Sequence, residues 1–256
     1  MSFIRIWMIA AFSTVAVNAA VTQEAKHDLP QRVPVPVERP DTKSSVGKIK
    51  PAEEAGPISP PGEVLRAAKK DERIYQVACP VLMSGEIDGT LIPPLKENNC
   101  GEQSPLKINA FGKETPVRLA APVIINCAMA TALVEWTANV SALAQKHYHS
   151  PIKKIVTGSD YQCRRVNNGS SGRTSEHAFA NALDIISFTF ENGKTTELKS
   201  GWNAKGAEKA FWRDLHKASC KRFMTVIGPD GDAAHENNLH LDLGCHGKDC
   251  MARICQ

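Results

Sequence analysis

The chain has 256 residues, 42% hydrophobic and 23% charged, which is room for one sizeable domain with appendages or for two small ones. A formal charge of +4, from 31 Lys+Arg against 27 Asp+Glu, excludes a polybasic, histone-like binder. Aromatics at 6% argue against a stacking platform for single-stranded nucleic acid, so no nucleic-acid partner is expected.

Met1 to Ala20 read as a secretory signal, with Arg5 as the n-region charge, Ile6 to Val17 apolar, and Val17-Asn18-Ala19 small enough for cleavage after Ala19. The apolar run is too short to span a bilayer comfortably, and no basic stop-transfer cluster follows it. No stable membrane span is therefore expected once residues 1–19 are removed. Residues 20–70 form a Pro-rich linker: eight of the 16 prolines fall between positions 20 and 62, without an aromatic residue. Such a segment cannot bury enough apolar surface to offset its ordering entropy. Eight cysteines suit a periplasmic or secreted protein, where disulfides persist.

The folded domain, residues 71–256, begins near Asp71. An apolar stretch from Val117 to Ile125 leads into a helix over Asn126–Tyr148. Asn126 is its N-cap, and Ala130, Leu133, Val134, Trp136, Val140, Leu143 and Ala144 form its apolar face. Lys153–Cys163 reads as a strand and Asn167–Arg173 as a loop. Residues 182–198 read as a hairpin turning at Asn192-Gly193. A helix capped by Asn203 is predicted over Ala204–Ala218, then strands at Phe223–Gly228 and Leu239–Gly244. Hairpins beside helices predict an α+β fold.

No Walker loop, G-x-G-x-x-G or G-x-S-x-G motif is present. His235-Glu236 suggests H-E-x-x-H, but His240 is five residues on, roughly 140° round a helix rather than on one face. The more informative residues are His177, Asp184 and His240. Asp184 is a charge inside an apolar strand, where an unpaired carboxylate is costly, so it should meet a cation. Two histidines and a carboxylate with an open position form a catalytic zinc set. They can equally be ordinary buried hydrogen-bonding groups, and spacing alone does not separate the two readings. His240 and Asp242 share a strand face. Arg164, Arg165 and Arg173 lie just before His177, and a guanidinium fork suits a peptide carboxylate. Eight cysteines allow about a hundred pairings, so none is assigned. Cys245, Cys250 and Cys255 could in principle hold zinc, but disulfides are expected there. His147, His149, His216 and His246 are expected at the surface, and His27 lies in the linker.

The stretch SEHAFANALDI, with YQCR before it and GPDGDAAHENNLHLDLG after it, resembles the extensin-like C-terminal domain family of bacteria. The likeness runs from about Cys79 to Cys255 and takes in CAMATALVEW and KASCKRF. That family is in turn remotely similar to the zinc peptidases of the lysostaphin, D-Ala-D-Ala carboxypeptidase and Hedgehog group. The resemblance implies a small antiparallel sheet with flanking helices, disulfide-stapled and zinc-peptidase-like. It implies zinc on His177, Asp184 and His240, and Arg164 as substrate anchor, with Arg173 behind it. Asn237 and Asn238 stand where relatives carry proton-transfer groups, and an amide is no base at neutral pH. Asn238 could still donate to a developing oxyanion. That leaves Glu236 and then His235 as the expected catalytic residues. Ala180 replaces a common glycine, which asks only for ordinary backbone there. The expectation is an exported zinc-dependent hydrolase acting on peptide bonds of cell-wall peptidoglycan. The alternative is a non-catalytic envelope-binding module that keeps the fold and possibly the metal.

Overall fold

The structure, a computed structural model, describes residues 74–256. The expected signal (1–19) and linker (20–70) lie outside the described residues. In chain order come α1 (Pro80–Met83), β1 (Ile87–Leu91), β2 (Leu95–Glu97), β3 (Cys100–Glu102), β4 (Leu106–Phe111) and β5 (Val117–Ile125). Then follow α2 (Cys127–Tyr148), β6 (Ile152–Thr157), β7 (Ala182–Phe190), β8 (Thr195–Glu197), α3 (Leu198–Gly201) and α4 (Gly206–Arg222). The chain closes with β9 (Thr225–Ile227), β10 (Leu239–Asp242) and β11 (Ile254–Cys255). Short 3-10 turns stand at Val166–Asn168, Glu176–Phe179 and Ala233–His235.

The α+β class holds, but the sheet is not the small antiparallel one expected. It has nine strands in the order β1-β4-β5-β6-β7-β10-β9-β11, with β8 beside the second half of β7. It is mixed: β5–β6 and β9–β11 run parallel and the other pairs antiparallel. The reason is the long α2, which carries the chain back from the end of β5 so that β6 starts in the same direction. The strands before β5 had no sequence signal strong enough to predict.

α2 is nucleated as expected. The Asn126 side chain accepts from the Met129 N–H at 2.8 Å, and the helix ends at His149 in the left-handed region. α4 starts later than predicted, at Gly206. Asn203 does not cap it, because its carbonyl accepts from Arg213 instead. α2 and α4 pack together over one face of the sheet. Trp136 lies between them and β7, against Phe188 and Phe223, and its indole N–H donates to Ser219 Oγ at 2.8 Å. The predicted Lys153–Cys163 strand stops at Thr157. From Gly158 the chain bends around the start of β7, where Gly158 N–H donates to the Asp184 carbonyl and Asp184 N–H to that of Ser159.

All eight cysteines are paired: Cys79–Cys127, Cys100–Cys163, Cys220–Cys255 and Cys245–Cys250. The first ties the segment before β1 to the start of α2, and the third ties α4 to β11. Among the described residues no helix is long and apolar enough to cross a membrane.

Candidate metal centre

β7 is buried almost throughout, and its faces change partway along. Ser187 and Ile185 oppose successive residues of β6, so Ile186 is an extra residue and the strand bulges there. Leu183 and Ile185 before the bulge, and Phe188 and Phe190 after it, all reach the core although their numbers differ in parity. Asp184 is left facing away from that core. β10 alternates in the same way: Leu239 and Leu241 join the core, while His240 and Asp242 face the other side. Register places His240 directly opposite Asp184.

His177 arrives from the 3-10 turn just before β7. Ser175 opens that turn and Ala180 ends it in the left-handed region, at φ 52°. Backbone at Ala180 is therefore not ordinary; a Cβ there costs about 1 kcal/mol, which the surrounding bonds offset. Asn126 N–H donates to the Ala180 carbonyl at 2.6 Å, and Asn181 bridges the Asn126 and Glu176 side chains.

Three atoms converge here: His177 Nε2, Asp184 Oδ1 and His240 Nδ1. They are separated by 3.2 Å between the histidines, 3.0 Å from His240 to Asp184 and 3.4 Å from His177 to Asp184. All three residues are buried. Their far atoms are engaged elsewhere. His177 Nδ1 lies 2.7 Å from the Asp160 carbonyl, to which only a ring N–H can donate. His240 Nε2 lies 2.9 Å from Asp242 Oδ2 and donates to it. As neutral rings, both would turn a lone pair toward the carboxylate and need a cation between them; with no metal bound, the cation is a proton on His240 Nδ1, donated to Asp184. Burial alone would push the His240 imidazole down, but the Asp184 and Asp242 carboxylates beside it outweigh that and hold its pKa at about 9. Burial likewise favours a neutral Asp184, yet His177 and His240 keep it well below the usual carboxylate range.

A metal ion also fits the donor set. Tetrahedral zinc with bonds near 2 Å spaces its ligand atoms about 3.3 Å apart, and the triangle matches. Asp160 and Asp242 would be the outer partners that fix ring tautomers in such sites. Gly158 leaves the needed room, since a Cβ there would stand 3.1 Å from that of Asp184. A second group, His216 with Cys220 and Cys255, is unsuited because its cysteines share a disulfide. Cys245 and Cys250 are likewise bonded, so zinc on the C-terminal cysteines is excluded.

His177 and His240 line a cleft of about 340 Å³ together with Arg164, Arg173, Asp232 and His235. His235 Nδ1 is 2.6 Å from Asp232 Oδ1, and its ring centroid is 5.5 Å from that of His240. Arg164 is steadied by Gln162, while Arg173 is exposed. The structure does not bring Glu236 or Asn238 into this lining. Glu236 follows the 3-10 turn, points to solvent and pairs with Lys199 at 3.1 Å. Asn238 bonds back to Asn237 and the Ala234 carbonyl. Glu236 would share a face with His240 only if the strand began early, but it begins at Leu239; Asn238 was expected there from the resemblance alone. Sequence reasoning missed Asp232, whose three-residue spacing to His235 was a usable signal. It also missed His246, which is buried in the cleft wall rather than at the surface.

Fold and site together define a disulfide-stapled α+β domain with a buried His-Asp-His cluster at the floor of a cleft. Four disulfides suggest a non-cytoplasmic protein. The chain belongs to the family described as "Extensin-like protein C-terminus", which matches residues 82–256. Comparison with curated proteins and with solved structures gives no match.

Proposed function

We propose that this protein is an exported, zinc-dependent hydrolase acting on peptide bonds of cell-wall peptidoglycan, with His177, Asp184 and His240 as metal ligands. The observation that carries the reading is the convergence of His177 Nε2, Asp184 Oδ1 and His240 Nδ1 in a triangle with edges of 3.0 to 3.4 Å, at the floor of an open cleft. The peptide substrate rests on the resemblance of the His177, Asp184 and His240 spacing to the zinc peptidases. When bound, the ion supplies a Lewis acid for a carbonyl and lowers the pKa of a water. The chain's own residues do the rest. Asp232 accepts the Nδ1–H of His235, leaving Nε2 to take a proton from the attacking water and pass it to the leaving amine. Arg164 and Arg173 offer guanidinium forks to a substrate carboxylate. Glu236, paired with Lys199 outside the cleft, has no part.

Zinc reconstitution followed by elemental analysis should give about one ion per chain, and His177→Ala should lose it. No zinc on the wild type would overturn the reading. With purified peptidoglycan, His235→Gln should keep zinc and cut peptide release by roughly 10²- to 10⁴-fold, while Glu236→Gln releases peptides like the wild type. One observation favours the envelope-binding module: Glu236, the expected carboxylate base, pairs with Lys199 outside the cleft, and Asn237 and Asn238 lie where relatives carry proton-transfer groups. Zinc retained by a wild type that cleaves no wall type tested would select that module.

A further inference from the structure

Building on the metal reading above, we propose that His246 is a positioning residue for the centre, acting on His240 through Thr225 and Asp242. His246 sits in the short loop closed by Cys245–Cys250, yet the residue is only 8% exposed. Its Nε2 is 2.6 Å from Thr225 Oγ1. Thr225 is the register partner of Asp242 across β9 and β10, which sets its hydroxyl beside the Asp242 carboxylate, whose pKa it helps to lower. That carboxylate already accepts from Gly244 N–H at 2.8 Å and from His240 Nε2 at 2.9 Å.

The donor directions follow from what each group can do. An ionised carboxylate only accepts, so the single Thr225 proton goes to Asp242. The Thr225 oxygen then has lone pairs to offer, and His246 must donate its Nε2–H. The result is one directed chain, His246 to Thr225 to Asp242, that meets the His240 N–H at the carboxylate. Asp242 held in this way keeps His240 protonated on Nε2 and its Nδ1 turned to Asp184 and His177. Chains of buried hydrogen bonds polarise and orient one another, so losing the outer donor loosens the inner one. The disulfide loop gives the chain a fixed outer end. Packing by itself would not require an imidazole there, since an apolar side chain could fill the same space.

Zinc affinity, measured by competition with a chromophoric chelator, tests this on the intact chain, and the thermal midpoint of each metal-free variant shows whether the fold has survived. His246→Ala and Thr225→Val should each weaken zinc binding roughly tenfold, the low end for outer partners of metal ligands. Their metal-free midpoints should differ little from each other. The double variant should be no weaker than the weaker single, because both interrupt one chain. His246→Gln, whose amide N–H can replace the Nε2 donor, should stay within about threefold of wild type. Wild-type affinity in His246→Ala overturns the proposal, as does wild-type affinity in Thr225→Val. In either case loss of zinc by His177→Ala leaves the metal reading standing. A wild type that binds no zinc overturns both.

Discussion

A carboxylate in the run Ala182-Leu183-Asp184-Ile185-Ile186 had to meet positive charge or a proton donor, and Asp184 faces both His177 and His240. The identity of the cluster was therefore legible residue by residue. Which of two neighbouring side chains enters the cleft was not. Glu236 and His235 are adjacent in sequence, and only the 3-10 turn at Ala233–His235 sends one imidazole inward and the neighbouring carboxylate to Lys199. Another carboxylate yields a residue-scale prediction. Asp230 accepts from the Trp202 indole at 2.8 Å and from Arg213, and these bonds lower its pKa. A carboxyl depressed in the folded state stabilises the fold fully above its unfolded value, about 3.9. That contribution is lost as pH falls through the folded value. The stability gap between wild type and Asp230→Asn, measured by urea unfolding, should be present at pH 7 and shrink below about pH 4. A gap that stays constant down to acid pH would contradict this.

Among the elements, α2 announced itself by its N-cap and apolar face, since both are local. The β7 bulge did not. An extra residue at Ile186 is visible only against β6, yet it lets one strand serve the core with Phe188 and the site with Asp184. The disulfides lie at this scale too: their number pointed to an oxidising compartment, but their pairing is set by which elements touch. The loop-entropy account assigns about 4 kcal/mol to Cys79–Cys127, which spans 48 residues, and about 2 kcal/mol to Cys245–Cys250, which spans five. Replacing each pair by serines and measuring unfolding in guanidinium should show the larger loss for Cys79–Cys127. The opposite order would mean that the unfolded chain already holds the long loop together.

At the scale of the whole molecule, two helices cover one face of the sheet while the opposite face of β7 and β10 carries the cluster. Trp136 links α2, α4 and β7, and Ser219 is the hydrogen-bond partner of its buried indole. Trp136→Ala should cost about 3–5 kcal/mol. Ser219→Ala leaves the indole N–H unpaired in the core and should cost about 1–3 kcal/mol. Chemical denaturation checks both. A loss below about 0.5 kcal/mol for Ser219→Ala would show that the hydrogen bond contributes nothing net.

By itself the sequence determined the local features: the α+β alternation, the capped α2, the hairpin turning at Asn192-Gly193, and an even cysteine count suited to disulfides. It also marked the three side chains of the cluster, through a charge among apolar residues at Asp184 and the resemblance carried by the stretches around His177 and His240. Tertiary structure alone decided the nine-strand mixed order, the bulge, the cysteine partners and the placing of His235, rather than Glu236, in the cleft lining. It also decided the burial of His246, which composition placed at the surface. Each of these depends on contacts between segments far apart in the chain, such as β7 with β10 or His246 with Thr225. Such contacts are chosen by packing and hydrogen-bond satisfaction over the whole domain, and no window of neighbouring residues carries that information.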